Sequence, residues 1–276
     1  MSAHPPLRIA VAAVVVAAFT LPACESTNPF AGPDDQSVLL TLVQGLSGPT
    51  PSQTARQVFD REDPDVRRRA IAMLSAAEWG GESEYLAVYR LILTDPDPTV
   101  RAACAAALGR HGEPGDALLV GNQLDAEEAF LRWEAAKALR RLHNPVAVPR
   151  LIETLQTDED PDARMAAAEA LGQYHRREVF DALVSALTEP EYGIAHAARG
   201  SLHTLTGHDA GSEPRDWRTF AAENPSDLFA NARPYTYRGY IAPPGLLQRT
   251  WQKAAFWEEP ESNEQTPEGM ESDSPS

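Results

Sequence analysis

Four arginines recur along this chain at nearly constant spacing: Arg67, Arg101, Arg132 and Arg164. A row of guanidinium groups has two chemistries open to it. It can hold phosphate through planar, multidentate donation, or it can pair with acids of its own chain. Three histidines, His111, His143 and His175, stand 32 residues apart. Such a series suggests a metal. Zinc, however, needs its ligand nitrogens about 2.0–2.1 Å from one ion, and equivalent positions on stacked units lie roughly 10 Å apart. Each histidine also follows a helical stretch, where the negative end of the helix dipole accounts for it. No metal site is expected. Acidic pairs recur at helix starts instead of converging, so no acid–base pair stands out. A Gly-rich phosphate loop, a nucleophile elbow and a His-Glu-x-x-His run are all absent from the sequence. No catalytic residue and no cofactor is expected, and Trp79 and Trp133 read as packing residues.

The elements that must position these residues form a repeat. Val66-Arg67, Val100-Arg101, Leu131-Arg132 and Ala163-Arg164 follow one another in steps of 34, 31 and 32 residues, and Ile194-Ala195 continues the series without the arginine. Each copy carries a small residue and then a leucine at fixed distance: Ala70 and Leu74, Cys104 and Leu108, Ala135 and Leu139, Ala167 and Leu171. Asp63-Pro64, Asp97-Pro98 and Asp160-Pro161 supply a capping carboxylate and a first-turn proline. Gly109 and Gly172 follow two of the leucines and suit a left-handed helix end. A second helical stretch follows in each unit, at 85–93, 117–124, 148–155 and 179–187. Each unit is thus a helix–turn–helix whose apolar face is buried only by stacking. A cruder pair, 37–46 and 53–59, precedes the array.

The run Asp63-Pro64-Asp65-Val66-Arg67, with Asp97-Pro98-Thr99-Val100-Arg101, resembles the HEAT-repeat family in its short bacterial form. The resemblance spans 37–206 and implies an all-α fold, a right-handed α-α superhelix. It also implies that the arginine row is an inter-repeat Asp–Arg ladder, with Asp65, Asp97, Asp125 and Asp162 as candidate partners. Some HEAT-like proteins act on bilin chromophores or damaged DNA. The acidic charge and the exported address described next argue against either substrate here.

Net charge is -16, which disfavours a phosphate backbone as partner because such binding needs clustered Lys and Arg. No nucleic-acid partner is expected. Of the two cysteines, Cys104 lies in an Ala-rich helical run and reads as a small buried hydrophobe. Cys24 ends a segment with a basic start and an apolar run over 9–21, too short to span a bilayer. Leu21-Pro22-Ala23-Cys24 resembles the lipobox of bacterial lipoproteins. That resemblance implies a signal peptide over 1–23, lipid attachment at Cys24 and a membrane anchor through the N-terminal lipid. Glu25 departs from the Asp that favours inner-membrane retention, so the outer membrane facing the periplasm is the default expectation. Residues 24–36, with Pro29, Gly32 and Pro33, read as a tether.

After Leu205 the repeat stops. Nine of the chain's twenty aromatic residues fall between Trp217 and Trp257. The segment 207–257 is expected to be an aromatic cap or extension, with Trp217, Tyr235, Tyr237, Trp251 and Trp257 as possible partner-binding residues. The last stretch, 258–276, has seven acidic residues, no basic ones and no aromatics, and reads as a disordered tail. Taken together, the expectation is a non-enzymatic scaffold or adaptor in the cell envelope that binds a protein partner. The alternatives are a structural envelope lipoprotein or a HEAT-like enzyme acting on a small molecule.

Overall fold

A computed structural model describes residues 51–77, 79–238 and 264–270. Among them the chain forms eleven α-helices and one pair of two-residue strands. The first helices of the units are α2 (Pro64–Ala76), α4 (Pro98–His111), α6 (Ala129–Leu139), α8 (Pro161–Leu171) and α10 (Tyr192–Thr206). The second helices are α1 (Pro51–Gln57), α3 (Ser83–Ile92), α5 (Ala117–Gly121), α7 (Val148–Thr157), α9 (Arg177–Ala186) and α11 (Pro214–Glu223). First helices pack on first helices from α2 through α10, and each second helix from α1 through α9 packs on the first helix that follows it in the chain. This is the all-α solenoid layout that the repeat spacing requires.

The helix starts are built as the Asp-Pro pairs indicate. Asp63 accepts from the Asp65 N–H at 2.8 Å, Asp97 from that of Thr99 at 2.8 Å and Asp160 from that of Ala163 at 2.9 Å. The small-residue and leucine positions, Ala70, Leu74, Cys104, Leu108, Ala135, Leu139, Ala167 and Leu171, are all fully buried. Cys104 sits in the core as a small packing residue, and its burial pushes the thiol well above its ordinary pKa.

The two helix-end glycines have a different cause from the one read in the sequence. Neither adopts a left-handed conformation, which among the described glycines belongs to Gly207, Gly211 and Gly269. Gly109 instead permits close approach: a Cβ there would stand 2.7 Å from both Cα and Cβ of Ala138 on the next first helix. At Gly172 a Cβ would meet Ser201 Oγ at 2.8 Å. Gly109→Ala therefore sets a helix-propensity gain of about 1 kcal/mol against an overpacking cost of about 1–3 kcal/mol. Because the opposing atoms include backbone, we expect a net loss of stability, measured as a lower urea midpoint.

The arginine ladder is present with other partners than those expected. Arg67 donates to Asp95 at 2.9 and 2.8 Å, Arg132 donates to Asp158 through two bonds of 2.7 Å, Arg101 reaches Glu128 at 3.4 Å and Arg164 reaches Glu189 at 2.5 Å. The same side chains bond carbonyls of their own turn, as Arg67 does to Asp60 O and Arg132 to Ala126 O. Each arginine thus ties its own turn to the turn of the following unit. Asp97 and its counterpart Asp160 are engaged by helix N–H groups. The partner in these units is the acid two residues earlier, in Asp95-Pro96-Asp97-Pro98 and Asp158-Glu159-Asp160-Pro161. Asp65 pairs with Arg68 and Asp125 with Arg150, both outside the ladder.

Beyond α10 the chain turns at Gly207, whose φ of 66° places it in the left-handed region. A Cβ there would fall 1.8 Å from Asn231 O, so glycine is required twice over. Helix α11 then lays the fully buried Trp217 against Phe180 of α9, with centroids 6.4 Å apart. The following residues run back over the ends of the first helices. The Arg233 N–H donates to Thr204 O at 2.8 Å, and Tyr235 reaches α8. Strand β1 (Tyr237–Arg238) then pairs antiparallel with β2 (Glu264–Gln265). Part of the expected disordered tail is therefore docked. Glu268 bridges Leu142 in parallel, with the His143 N–H donating to Glu268 O and the Glu268 N–H to Arg141 O, both at 2.9 Å. The acidic composition concealed this because main-chain groups make the contact.

Candidate functional site: a groove at the repeat rim

The loops that follow the first helices form one rim of the array. There the backbone is tied from unit to unit by side chains that the repeat pattern does not reveal. The Asn144 amide donates to Pro114 O at 2.9 Å, and the Tyr174 hydroxyl donates to Asn144 O at 3.1 Å. Gln173 is fully buried, and its amide donates to Leu139 O at 3.0 Å and Ala170 O at 2.9 Å. Its carbonyl oxygen faces His143 Nδ1 at 3.1 Å, which places the proton on that nitrogen because the oxygen only accepts. His143 stacks on Tyr174 with centroids 4.9 Å apart.

Against this rim lies a groove of about 780 Å³, a volume in the range of ligand clefts. The repeat loops supply His143, Gln173, Tyr174 and His175. The returning strap supplies Phe229, Ala230 and Tyr235, and the docked tail adds Thr266 and Met270. His175 meets Phe229 edge to face at 5.8 Å. Tyr235 donates to Glu169 O at 2.8 Å, satisfying a carbonyl in the last turn of α8, and burial raises its pKa to about 12. Tyr235→Phe removes that donor from a buried carbonyl. We expect it to cost about 1 kcal/mol, read by chemical denaturation, with helix content unchanged.

A smaller recess of about 390 Å³ adjoins β1 and is bordered by Lys137, Arg140, Arg141, Thr236, Tyr237 and Glu264. The Arg141 guanidinium lies over the Tyr237 ring at 5.3 Å. Arg140 pairs with Glu169 at 2.5 Å and Lys137 with Glu134 at 2.9 Å. Two of the three cations at the recess are thus neutralised by carboxylates of their own chain.

The residues singled out in the sequence are distributed as follows. Arg67, Arg101, Arg132 and Arg164 are in the ladder, away from the groove. Trp217 is fully buried and Tyr235 is 6% exposed, so neither offers the partner surface expected of it. Their aromatic bulk closes the last units instead. Tyr237 stands on β1, at the edge of the recess. Cys24, Trp251 and Trp257 lie outside the described residues. The histidines do not act as one series: His143 and His175 share the groove, while His111 donates from Nε2 to Ser75 O at 2.7 Å. Gln173, Tyr174 and Asn144 were missed. Their only sequence signal is position, directly beside the recurring histidines.

A family model described as HEAT repeats matches residues 52–120 and 117–203, together more than half of the chain. Human deoxyhypusine hydroxylase (Homo sapiens) is 29% identical over 116 residues, 41% of this chain and 38% of that protein. The match thus spans well under half the length of that relative. Among solved structures, the complex of CpcE and CpcF of phycocyanin lyase from Nostoc sp. PCC7120 is similar at a TM-score of 0.52 and 20% identity, over 75% of this chain and 76% of that one. That likeness shows the fold alone. The kinship with a hydroxylase corrects the reading of the chain as a non-enzyme. That reading rested on missing motifs, and a HEAT array can carry chemistry on residues scattered over several repeats, where no linear motif marks them.

Proposed function

The chain belongs to the HEAT-repeat family, and from that premise we propose that it is a protein-binding scaffold whose working surface is the rim groove. One observation carries the reading: the rim already holds a segment of polypeptide, extended over 264–268 and closed by a turn at Gly269, by main-chain hydrogen bonds at Arg141 and His143. A surface that accepts one strand in this manner is suited to accepting another. The aromatic and imidazole lining beside it supplies side-chain pockets for specificity.

The address in Leu21-Pro22-Ala23-Cys24 supports an anchored form of the scaffold, lipidated at Cys24 and held at the outer membrane facing the periplasm. The test is in-cell crosslinking and purification of the tagged full-length chain, with Cys24→Ala as the unanchored control. A reproducible protein adduct and a membrane fraction that empties in the control support both parts. An unchanged membrane fraction defeats the anchor, and the absence of any adduct defeats the scaffold.

A second reading is favoured by the 29% identity to deoxyhypusine hydroxylase: the array turns over a substrate. Incubating the purified chain with a deoxyhypusine-bearing protein and reading for the mass gain of one oxygen tests it. No gain, with the human enzyme active in parallel, ends that reading for this substrate.

A further inference from the structure

We propose that the exposed face of α3, α5 and α7 is a docking surface for a basic amphipathic helix of a partner protein. This surface is separate from the rim groove: none of the side chains that form it borders that groove. It stands whether or not the groove binds anything.

The three second helices share one register. Leu86, Ala117 and Val148 are buried at steps of 31 residues, and so are Leu93, Leu124 and Leu155. The exposed positions fall into step with them. Ala87, Leu118 and Pro149, each one residue past the first buried set, are exposed. One turn earlier stand Glu84, Gly115 and Val146, and one turn later Leu91, Asn122 and Glu153, all exposed as well. The helices adjoin. Arg90 of α3 donates to Asp116, at the start of α5, at 2.6 and 2.9 Å, and the turn Pro145–Ala147 that opens α7 packs on α5.

The large apolar side chains lie on the diagonal of this grid. Leu91 on α3, Leu118 on α5 and Val146 before α7 are 62%, 53% and 45% exposed. Single exposed leucines are ordinary on a protein surface. Three in line on adjoining helices, with the exposed Leu119 beside the central one, form a continuous strip that calls for a partner. Neighbouring helices lie about 8–10 Å apart and one turn rises about 5.4 Å. The strip is therefore roughly 20 Å long, the length of a helix of about 14 residues. An amphipathic helix presents an apolar ridge of that kind.

Charge then fixes the flanks of the ligand. Glu84 stands on one side of the diagonal and Glu153 on the other. The cations of this face are already held by their own chain, Arg90 by Glu113 and Asp116, and Arg150 by Asp125. Glu84 accepts from the Ser83 hydroxyl at 3.1 Å, and among the described residues neither Glu84 nor Glu153 has a cationic partner. An apolar strip bordered on both sides by uncompensated carboxylates selects Lys or Arg on both flanks of the incoming ridge. The same charge repels an anionic lipid surface, so the occupant is a protein segment.

The test uses the full-length chain and a fluorescent helical peptide of about 15 residues, read by anisotropy. Leucine at every third or fourth place forms its ridge, and lysine flanks the ridge on both sides. A second peptide carries glutamate in place of lysine. The parent chain is expected to bind the first and not the second. Leu118→Asp is expected to weaken binding of the lysine peptide about tenfold or more, although it adds an attractive charge. Met73→Asp, which adds the same charge at an exposed site on α2, is expected to leave binding unchanged. The double variant Glu84→Lys, Glu153→Lys is expected to lose the lysine peptide and gain the glutamate one, a reversal that misfolding cannot produce. Circular dichroism of each variant is expected to match the parent.

No binding of the lysine peptide by the parent overturns the proposal. So do equal effects of Leu118→Asp and Met73→Asp, and a double variant that does not reverse the preference. A dimer of the parent that Leu118→Asp dissolves overturns it too, because a second copy of the chain is then the occupant.

Discussion

Asp158→Ala is expected to lower the unfolding free energy by about 3 kcal/mol. The Arg132 and Asp158 side chains are 15% and 4% exposed, and two bonds of 2.7 Å join them. Removing the carboxylate strands a guanidinium at the junction of two units, and an uncompensated charge of that kind costs more than the pair contributes. Arg101 with Glu128, at 3.4 Å and with side chains 20% and 34% exposed, is a more solvated rung. Glu128→Ala should cost about 1 kcal/mol or less. Comparing the two by urea denaturation checks the ranking; equal losses would mean that the bidentate geometry adds nothing.

The same pair has a pH signature. Burial pushes the Asp158 pKa up, but the Arg132 hydrogen bonds and the Asp160 N–H outweigh it and hold it below 3.8. A carboxylate with a depressed folded-state pKa stabilises fully above its unfolded value and loses that contribution as pH falls through the folded one. The contribution of this one rung is therefore complete well above about pH 4 and declines in stronger acid. Asp158→Asn flattens that part of the stability–pH curve, and the difference between the two curves reads the rung directly.

Trp217→Ala is expected to cost about 3–5 kcal/mol. The side chain is fully buried, packs on Phe180 and His208, and donates from Nε1 to Gly211 O at 2.9 Å. Stability in a repeat array is largely a sum of neighbour interfaces, so the loss should be local. Hydrogen exchange is expected to rise in α9, α10 and α11 and to stay unchanged in α2 and α4. A uniform rise along the array would contradict the closing role assigned to this residue.

Much of the fold was legible because helical periodicity reports burial. Ala70, Leu74, Cys104 and Leu108 recur at the spacing that puts them on one face, and packing follows from that. The ladder arginines were legible for the same reason, but their partners were not. Asp97 carries a strong capping signal, and Asp95 differs from it only by lying two residues earlier, where it faces the preceding unit. Gly109 and Gly172 follow the last leucine of a helix, which reads as a helix end; the nearness of Ala138 and Ser201 exists only in three dimensions.

The rim groove was hardly legible at all. Gln173 and Tyr174 look like ordinary loop residues until the buried carbonyls they satisfy are seen. Aromatic density marked the 207–257 segment as unusual, but composition cannot say whether Trp217 points inward or outward. The tail misled most. Its acidic residues and lack of apolar runs describe a chain that cannot form a core, and residues 264–270 form none. They dock through backbone hydrogen bonds and a glycine turn, which hydrophobicity does not report.

The most direct measurement is site-specific photocrosslinking in cells from Ala230, an exposed groove residue, with the outward-facing Met73 on α2 as the control position. One discrete protein adduct is expected from Ala230 and none from Met73. No adduct from Ala230, or the same adducts from both positions, would contradict a rim groove that binds a partner.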